Sequence, residues 1–292
     1  MEEQDRKIEE RNEALAKKLI EYLEPHLPAI QTNIQKFGRW LEQIKFDFSP
    51  ILKALQVDWA AVQKRLENLP ARAREAVGTA SEQGWFFNWQ NSLQDTVELI
   101  EKLGEAGAEE ADEILKNHFT ADFDWYTKLI TDMYPARKNA IEAAANAHKR
   151  GDPEGYYLSI PVFLAQADGI LSEVTGLQQP MGGRDGKIRG STYVSEEIGD
   201  NQDAKDLLHQ IINLSSMNLL KSKGERDKES IASGKMFNAL NRHQVMHGEV
   251  SDYGTELNSL KAFSFLIYIA AHVPETLKSA RLKKSIEPPK NK

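Results

Sequence analysis

The chain of 292 residues carries 44 Asp and Glu against 37 Lys and Arg, which gives a formal net charge of −7. This balance leaves no extended basic surface that would bind nucleic acid or an anionic membrane indiscriminately, so any contact with RNA must be local. The chain has no cysteine, which excludes disulfides, thiolate metal sites and cysteine nucleophiles and suits a reducing compartment. The longest apolar run, 262–271, is far shorter than the ~20 residues of a membrane span. The charged start of the chain is unlike a secretory signal, so we expect a cytoplasmic protein that does not enter a membrane.

Apolar residues recur about every 3.6 positions in most of the N-terminal half, which is the period of an amphipathic helix. Prolines and the polar stretch GTASEQG divide this half into segments. We therefore predict helices over 8–23, 31–45, 58–68, 91–116, 122–133 and 136–150. Trp85, Phe86 and Trp89 could stack on nucleobases. Their spacing of three or four residues is more typical of a buried core, and we favour that interpretation.

The C-terminal half continues this helical pattern. The stretch YYLSIPVFLAQADGILSEV (156–174) predicts a mostly apolar helix with Pro161 in its first turn, and helical periodicity returns over 204–223 and 256–272. Between them, 176–200 is rich in glycine and poor in apolar residues, which favours a long loop or a small insertion. Strand patterns are nearly absent. We predict an all-α protein with an N-terminal helical region at 1–135, a helical domain at 136–275 and a basic, disordered tail at 276–292.

The stretch NRHQVMHG (241–248) concentrates side chains that bind phosphate and transfer protons. His243 and His247 are four residues apart, so a helix would present both on one face, where they could bind zinc with Glu249 as a third ligand. A glutamine stands where zinc proteases carry their catalytic glutamate, which weakens this alternative. Arg242 and His247 favour another chemistry, because a guanidinium can donate two hydrogen bonds to a phosphate and an imidazole can accept a proton near neutral pH. These are the groups needed for metal-free cleavage of RNA.

This region resembles the HEPN superfamily of α-helical ribonuclease and nucleotide-binding domains. The motif of that family is Arg, four to six residues, then His, usually with a polar residue directly after the Arg. Arg242, His243 and His247 match all three positions. The short polar loop and the apolar helix that follow also fit, and the resemblance covers roughly 136–275. It implies a HEPN-like four-helix bundle in the C-terminal domain.

The resemblance implies a metal-independent endoribonuclease that needs no cofactor. His247 would assist the attack of a ribose 2′-hydroxyl, and Arg242 would stabilise the charged phosphate of the transition state. His243 is expected to contact the phosphate or to orient His247, and Asn241 belongs to the same supporting set. Asp168, in the apolar helix, either joins a polar network under the site or lies at a solvent edge.

HEPN proteins usually dimerise so that two motifs face each other across a shared cleft, so we expect a homodimer whose substrate is RNA. The resemblance points to bacterial antiviral defence or a toxin system, in which residues 1–135 bind an antitoxin, another defence-system partner or a phage component. Some HEPN domains keep the fold without cleaving RNA. The alternative is therefore a noncatalytic interaction or nucleotide-binding module, in which Arg242 and His247 form a hydrogen-bonded pair that fixes a helix end.

Overall fold

The computed structural model describes residues 76–86, 93–184 and 187–286. These residues fall into two compact units, one with Ala76 and 93–104 and the other with 77–86, 105–184 and 187–286. The second unit contains every residue of the candidate site, and it is described here by itself. The helices predicted over 8–23, 31–45 and 58–68 lie outside the described residues.

Helices make up most of the described residues, which confirms the all-α prediction. The short strands β1 (Gly183–Arg184) and β2 (Lys187–Ile188) pair antiparallel in a hairpin. None of the described helices is both long enough and apolar enough to cross a membrane. In chain order the α-helices are α1 (Leu93–Glu105), α2 (Ala108–Ala121), α3 (Phe123–Met133), α4 (Lys138–His148), α5 (Pro153–Thr175), α6 (Arg189–Ile198), α7 (Gln202–Leu207), α8 (His209–Ile212), α9 (Lys223–Ser233), α10 (Arg242–His247), α11 (Glu256–Ile267) and α12 (Val273–Ile286).

Two apolar helices, α5 and α11, form the centre of the second unit. The first turn of α5 is capped by the Asp152 carboxylate, which accepts the backbone N–H of Gly155 at 2.6 Å. The helix ends at Gly176, whose left-handed backbone (φ 70°) suits glycine. α5 packs against α4 and α11, and Phe163 of α5 meets Phe263 of α11 with ring centroids 5.2 Å apart. The burial of this shared apolar surface stabilises the unit.

α5 starts earlier than the sequence predicts, so Pro161 lies inside the helix and not in its first turn. A proline at this position cannot donate a hydrogen bond to the carbonyl of Tyr157, four residues earlier. The helix continues because Ile160, Phe163 and Leu164 around the proline are fully buried. Packing outweighs the local preference here.

Segment 176–200, predicted as a long loop or a small insertion, contains the hairpin and α6. Gly183 is required in the hairpin, because a Cβ there would lie 2.0 Å from the carbonyl oxygen of Lys187. Val194 and Ile198 of α6 are buried, and α6 packs against α12. The glycines therefore shape a compact connection that leads into a core helix.

α12 occupies much of the stretch for which the sequence predicts a disordered tail, from residue 276 onward. After α11 the chain makes one π-helical turn, Tyr268–His272, and continues as α12. Leu277 and Ala280 of this helix are buried. This burial offsets the chain entropy that keeps a charged terminus disordered. Residues 287–292 lie outside the described part.

Two predicted helices are interrupted, and one more helix, besides α6 and α12, lies where the sequence predicts none. The segment 91–116 divides at Gly107, the N-cap of α2. The segment 204–223 becomes α7, α8 and two short 3-10 turns. The additional helix is α9, which begins with a capping box in which the Ser222 hydroxyl and the Glu225 carboxylate each accept the other residue's backbone N–H.

The core extends to the chain on the N-terminal side of Pro135, where the sequence predicts a domain boundary. α2 packs against α11, and α3 packs against α4, so both belong to the second unit. Trp85 stacks on Phe119 of α2 with ring centroids 5.4 Å apart, and Phe86 lies 4.5 Å from Phe265 of α11. Both residues are at most 1% exposed, which confirms the core interpretation for them. The third aromatic residue of that prediction, Trp89, lies outside the described residues.

Candidate functional site

The short helix α10 carries the predicted site, and Asn241 sets where it begins. The Oδ1 atom of Asn241 accepts the backbone N–H of Gln244 at 3.2 Å. Its Nδ2 atom donates to the carbonyl oxygens of Asn218 and Lys221, at 2.7 and 3.0 Å. The side chain is buried, and both amide hydrogens are used within the protein. Asn241 therefore anchors the start of α10, which is a supporting role.

A glycine ends the same helix. Gly248 has a left-handed backbone (φ 68°), and the next N–H, that of Glu249, donates to the carbonyl of Gln244 at 2.8 Å. Glycine adopts this conformation without the steric penalty that a Cβ would bring. The chain turns directly after His247, which leaves that imidazole exposed at the end of the helix.

The guanidinium of Arg242 pairs with a carboxylate of α5. Its Nη2 donates to Oδ2 of Asp168 at 2.8 Å, and the two side chains are 18% and 24% exposed. Nε of Arg242 and Oδ1 of Asp168 are buried and have no hydrogen-bond partner among the described residues. Asp168 thus pairs with Arg242 of α10 and is partly buried, which agrees better with the first of the two alternatives that the sequence left open, a polar network under the site. The pair is only partly satisfied, which is uncommon for buried polar atoms.

His243 and His247 lie on one face of α10, as their spacing predicts. Their rings are nearly parallel (5°), with centroids 6.1 Å apart. His243 is partly buried, whereas His247 is exposed. Burial lowers the pKa of His243, and electrostatic interactions with Arg242, His247 and Arg226 lower it further, while Glu249 opposes them. His243 is therefore neutral at pH 7.

Arg226 on α9 is a second buried arginine beside this helix. Its side chain is 6% exposed, and its Nη2 donates to Oε2 of Glu249 at 2.9 Å. Its Nε is buried without a hydrogen-bond partner in the described part of the chain. The hydrogen bond from Arg226 holds the pKa of the Glu249 carboxyl below its usual value. The second arginine and its carboxylate thus repeat the arrangement of Arg242 and Asp168.

Comparisons with known protein families, curated proteins and solved structures found no match.

The zinc alternative requires a third ligand beside the two histidines. Glu249, which the sequence offers for this position, pairs with Arg226. Among the described residues, no three His, Asp or Glu side chains are grouped so that they could hold a metal ion.

Helix α5 also holds the loop that follows α10. The hydroxyl of Tyr157 donates to the carbonyl of Ser251 at 2.8 Å, and its ring meets Tyr253 edge-on with centroids 5.0 Å apart. The ring lies so close to Gly254 that a Cβ there would be 2.6 Å from it. Tyr157 and Asp168 are eleven residues apart, which is close to three helical turns and places them on one face of α5. One helix face therefore positions both Arg242 and the loop that carries Glu249.

Arg226 and Tyr157 are the two site residues that the sequence interpretation missed. Arg226 lies in the charged stretch GERDKES, where nothing distinguishes it from its solvated neighbours. The capping box at Ser222 indicates that a helix starts there, but not which side of that helix faces the core. Tyr157 is one of two adjacent tyrosines at the start of an apolar helix. Only contacts with residues far along the chain distinguish its role from that of its neighbour.

Proposed function

We propose that this protein is a metal-independent endoribonuclease of HEPN type. The observation that carries the proposal is the arrangement of α10. An exposed His247 lies one helical turn from His243, and Arg242 on the same helix is held by Asp168. The resemblance supplies the role of each residue, and the exposure of His247 supports a role in contact with substrate.

In the proposed reaction His247 accepts the proton of a ribose 2′-hydroxyl while the 2′-oxygen attacks the neighbouring phosphorus atom. The bond from phosphorus to the 5′-oxygen breaks, the leaving oxygen takes up a proton from water, and the proton held by His247 returns to the solvent. The products are a 2′,3′-cyclic phosphate and a 5′-hydroxyl. Proton transfer of this kind contributes ~10²–10⁴ in rate, and Arg242 donates hydrogen bonds where negative charge accumulates on the phosphate.

Asp168 and His243 support this chemistry in different ways. The carboxylate of Asp168 orients the guanidinium of Arg242 through one N–H. A guanidinium has five N–H donors, so others remain for a phosphate. His243 is neutral at pH 7, so its ring can donate one hydrogen bond and accept another without adding charge. It is suited to contact the phosphate or to orient His247.

We further propose that the C-terminal helices form a HEPN-like four-helix bundle and that two copies pair around their α10 helices. The packing of α5 against α4 and α11 supports a bundle. Pairing would bring two copies of Arg242, His243 and His247 together, which concentrates positive charge on a protein of net charge −7. Light scattering should then give about twice the chain mass of 33.0 kDa. A monomer with full cleavage activity would contradict a composite site.

One observation favours a second candidate function. The charge of Arg242 is already balanced by Asp168, as in a domain that keeps the fold without cleaving RNA. A noncatalytic HEPN-like interaction or nucleotide-binding module would retain this pair for stability alone. In either case we propose bacterial antiviral defence or a toxin system as the setting, with residues 1–135 binding an antitoxin, another defence-system partner or a phage component.

The decisive experiment is cleavage of labelled total RNA and purified tRNA, with mapping of the product ends. The matched control is His247→Ala protein, because His247 is exposed and its removal should leave the fold intact. We expect cleavage by the unmodified protein alone, with cyclic phosphate ends. If the protein is correctly folded and dimeric but cleaves none of these RNAs, the result would favour the noncatalytic module.

A further inference from the structure

We propose that Arg226 is a second phosphate-binding residue of this site and that Glu249 occupies it in the free protein as an internal competitor. In the RNA complex a backbone phosphate replaces the Glu249 carboxylate on Arg226. This inference rests on the proposed function, because it assigns RNA as the ligand of the same site.

The first observation is the poor satisfaction of a buried guanidinium. Arg226 is 5% exposed as a whole residue. Among the described residues, its guanidinium donates to one side-chain acceptor, an oxygen of Glu249, and its Nε has no partner. Burying a charged group in this state is unfavourable, and structural arginines in protein interiors usually have most of their N–H groups paired. A guanidinium with donors to spare is instead suited to bind a phosphate, whose oxygens accept two parallel hydrogen bonds.

The second observation is the position of the partner. Glu249 follows Gly248 directly, and its side chain is 43% exposed. The Nη2 atom of the buried Arg226 therefore contacts a partly exposed carboxylate, and the movement of Glu249 into solvent would free that N–H for another acceptor. A phosphate supplies the negative charge and the acceptor oxygens that Glu249 gives up, so it can replace the carboxylate without leaving the buried guanidinium unpaired.

The third observation is that both arginines act on the same imidazole. The charges of Arg242 and Arg226 each lower the pKa of His243, so both guanidinium groups lie within electrostatic range of that ring. A strand bound across α10 would present successive phosphates to the two arginines. Arg242 would take the scissile phosphate, and Arg226 a neighbouring one. The substrate class is therefore a single-stranded oligonucleotide, since a mononucleotide has no second phosphodiester.

The test measures binding of a 2′-O-methyl RNA oligonucleotide, which cannot be cleaved by 2′-hydroxyl attack, to the full chain by fluorescence anisotropy at several salt concentrations. The variants are Glu249→Gln, Arg226→Gln and the double variant. Glu229→Gln is the matched control, because Glu229 is an equally exposed carboxylate (44%) that pairs with Lys221. It changes the net charge by the same amount as Glu249→Gln.

We expect Glu249→Gln to tighten binding about two- to fivefold, because the competing carboxylate is partly exposed and its attraction is screened by solvent, and Glu229→Gln to leave binding nearly unchanged. Arg226→Gln should weaken binding and lower the slope of log Kd against log salt by about 0.7, the value for one phosphate contact on a single strand. In the Arg226→Gln background, Glu249→Gln should no longer tighten binding.

The proposal is overturned if Glu249→Gln weakens binding or has the same effect as Glu229→Gln, because Glu249 would then serve only to anchor the loop. The comparison of Glu249→Gln with Glu229→Gln tests the proposal even if Arg226→Gln protein fails to fold. Binding and cleavage are measured separately. If Glu249→Gln tightens RNA binding but the unmodified protein cleaves no RNA, only the nuclease proposal is contradicted. If the protein cleaves RNA but Glu249→Gln does not tighten binding, only this inference is contradicted.

Discussion

Arg242 and Asp168 are separated by 74 positions in the chain and joined by a 2.8 Å hydrogen bond from α10 to α5. The pair links the motif helix to the central helix of the unit, so the stability of the fold and the placement of Arg242 are coupled. Substitutions at the two residues should therefore separate a structural role of the pair from a catalytic role of the arginine.

Asp168→Asn should lower the free energy of unfolding by about 1–3 kcal/mol, because a partly buried guanidinium loses its charged partner. RNA cleavage should fall as well, since Arg242 is no longer held in place. Urea unfolding followed by circular dichroism measures the first effect. The control is Asp132→Asn, which removes an exposed carboxylate paired with Lys128 and should change stability by no more than about 0.5 kcal/mol. An equal loss of unfolding free energy in the two variants would show that the Asp168–Arg242 pair contributes no more than an exposed ion pair.

Arg242→Lys and His247→Ala should each abolish cleavage while the melting temperature changes little. Lysine can keep the charge pair with Asp168 but lacks the fork of donors that a phosphate needs. His247 is exposed, so its removal leaves no cavity. His243→Ala should retain part of the activity, because it removes an orienting group and not the base. Full activity in folded His247→Ala protein would contradict the assignment of the catalytic base.

Cleavage should persist in EDTA and yield 2′,3′-cyclic phosphate and 5′-hydroxyl ends. The reason is that the proposed mechanism assigns proton transfer to a histidine and charge stabilisation to an arginine. The 5′-hydroxyl end is identified by direct 5′ phosphorylation, and the 2′,3′-cyclic phosphate by its resistance to phosphatase before the ring is opened with acid. Loss of activity in EDTA with recovery on adding Mg²⁺ or Zn²⁺ would instead indicate a metal-dependent site.

Two buried histidines away from the site should make stability depend on pH. Burial lowers the pKa of His148 and of His272 from 6.5 to about 4. Between these values the unfolded chain binds protons that the folded protein does not, so stability is full above pH 6.5 and falls as the pH drops toward 4. The loss should reach about 3 kcal/mol for His272 and less for His148.

Urea unfolding at pH 7, 6, 5 and 4.5 measures this dependence. His272→Gln should reduce the slope in this range, even though it weakens the bond that the ring makes to the carbonyl of Leu207 at 3.2 Å. A flat profile in the unmodified protein would contradict the burial of the two histidines.

Gly254→Ala should destabilise the protein by about 1–3 kcal/mol, because the new Cβ would lie 2.6 Å from the ring of Tyr157 and force the loop or the ring to move. The effect should be smaller in a Tyr157→Ala background, where the obstacle is gone. Gly248→Ala is a useful contrast, since no atom lies within 4 Å of a Cβ there. Its cost of about 1 kcal/mol comes from the left-handed backbone alone. If Gly254→Ala cost no more than Gly248→Ala, and cost the same with and without Tyr157, the contact with Tyr157 would not be the cause.

Apolar periodicity and local capping were enough to predict most helices of the second unit. The helices α3, α4 and α11 begin and end near their predicted limits, because their apolar spacing and flanking prolines or polar caps agree with their packing. The predictions failed where local preference and packing disagree. Pro161 lies inside α5, the glycine-rich segment leads into α6, and residues 276–286 are helical because Leu277 and Ala280 are buried.

The sequence by itself determined the all-α class, the helical face shared by His243 and His247, and the turn at Gly248, since each depends on residues within a few positions of one another. Only the tertiary structure decided that Arg242 pairs with Asp168 and that Arg226 pairs with Glu249. These pairs join residues 74 and 23 positions apart. Their formation depends on how whole helices pack, because helix periodicity shows which residues share a face but not which distant side chain that face meets.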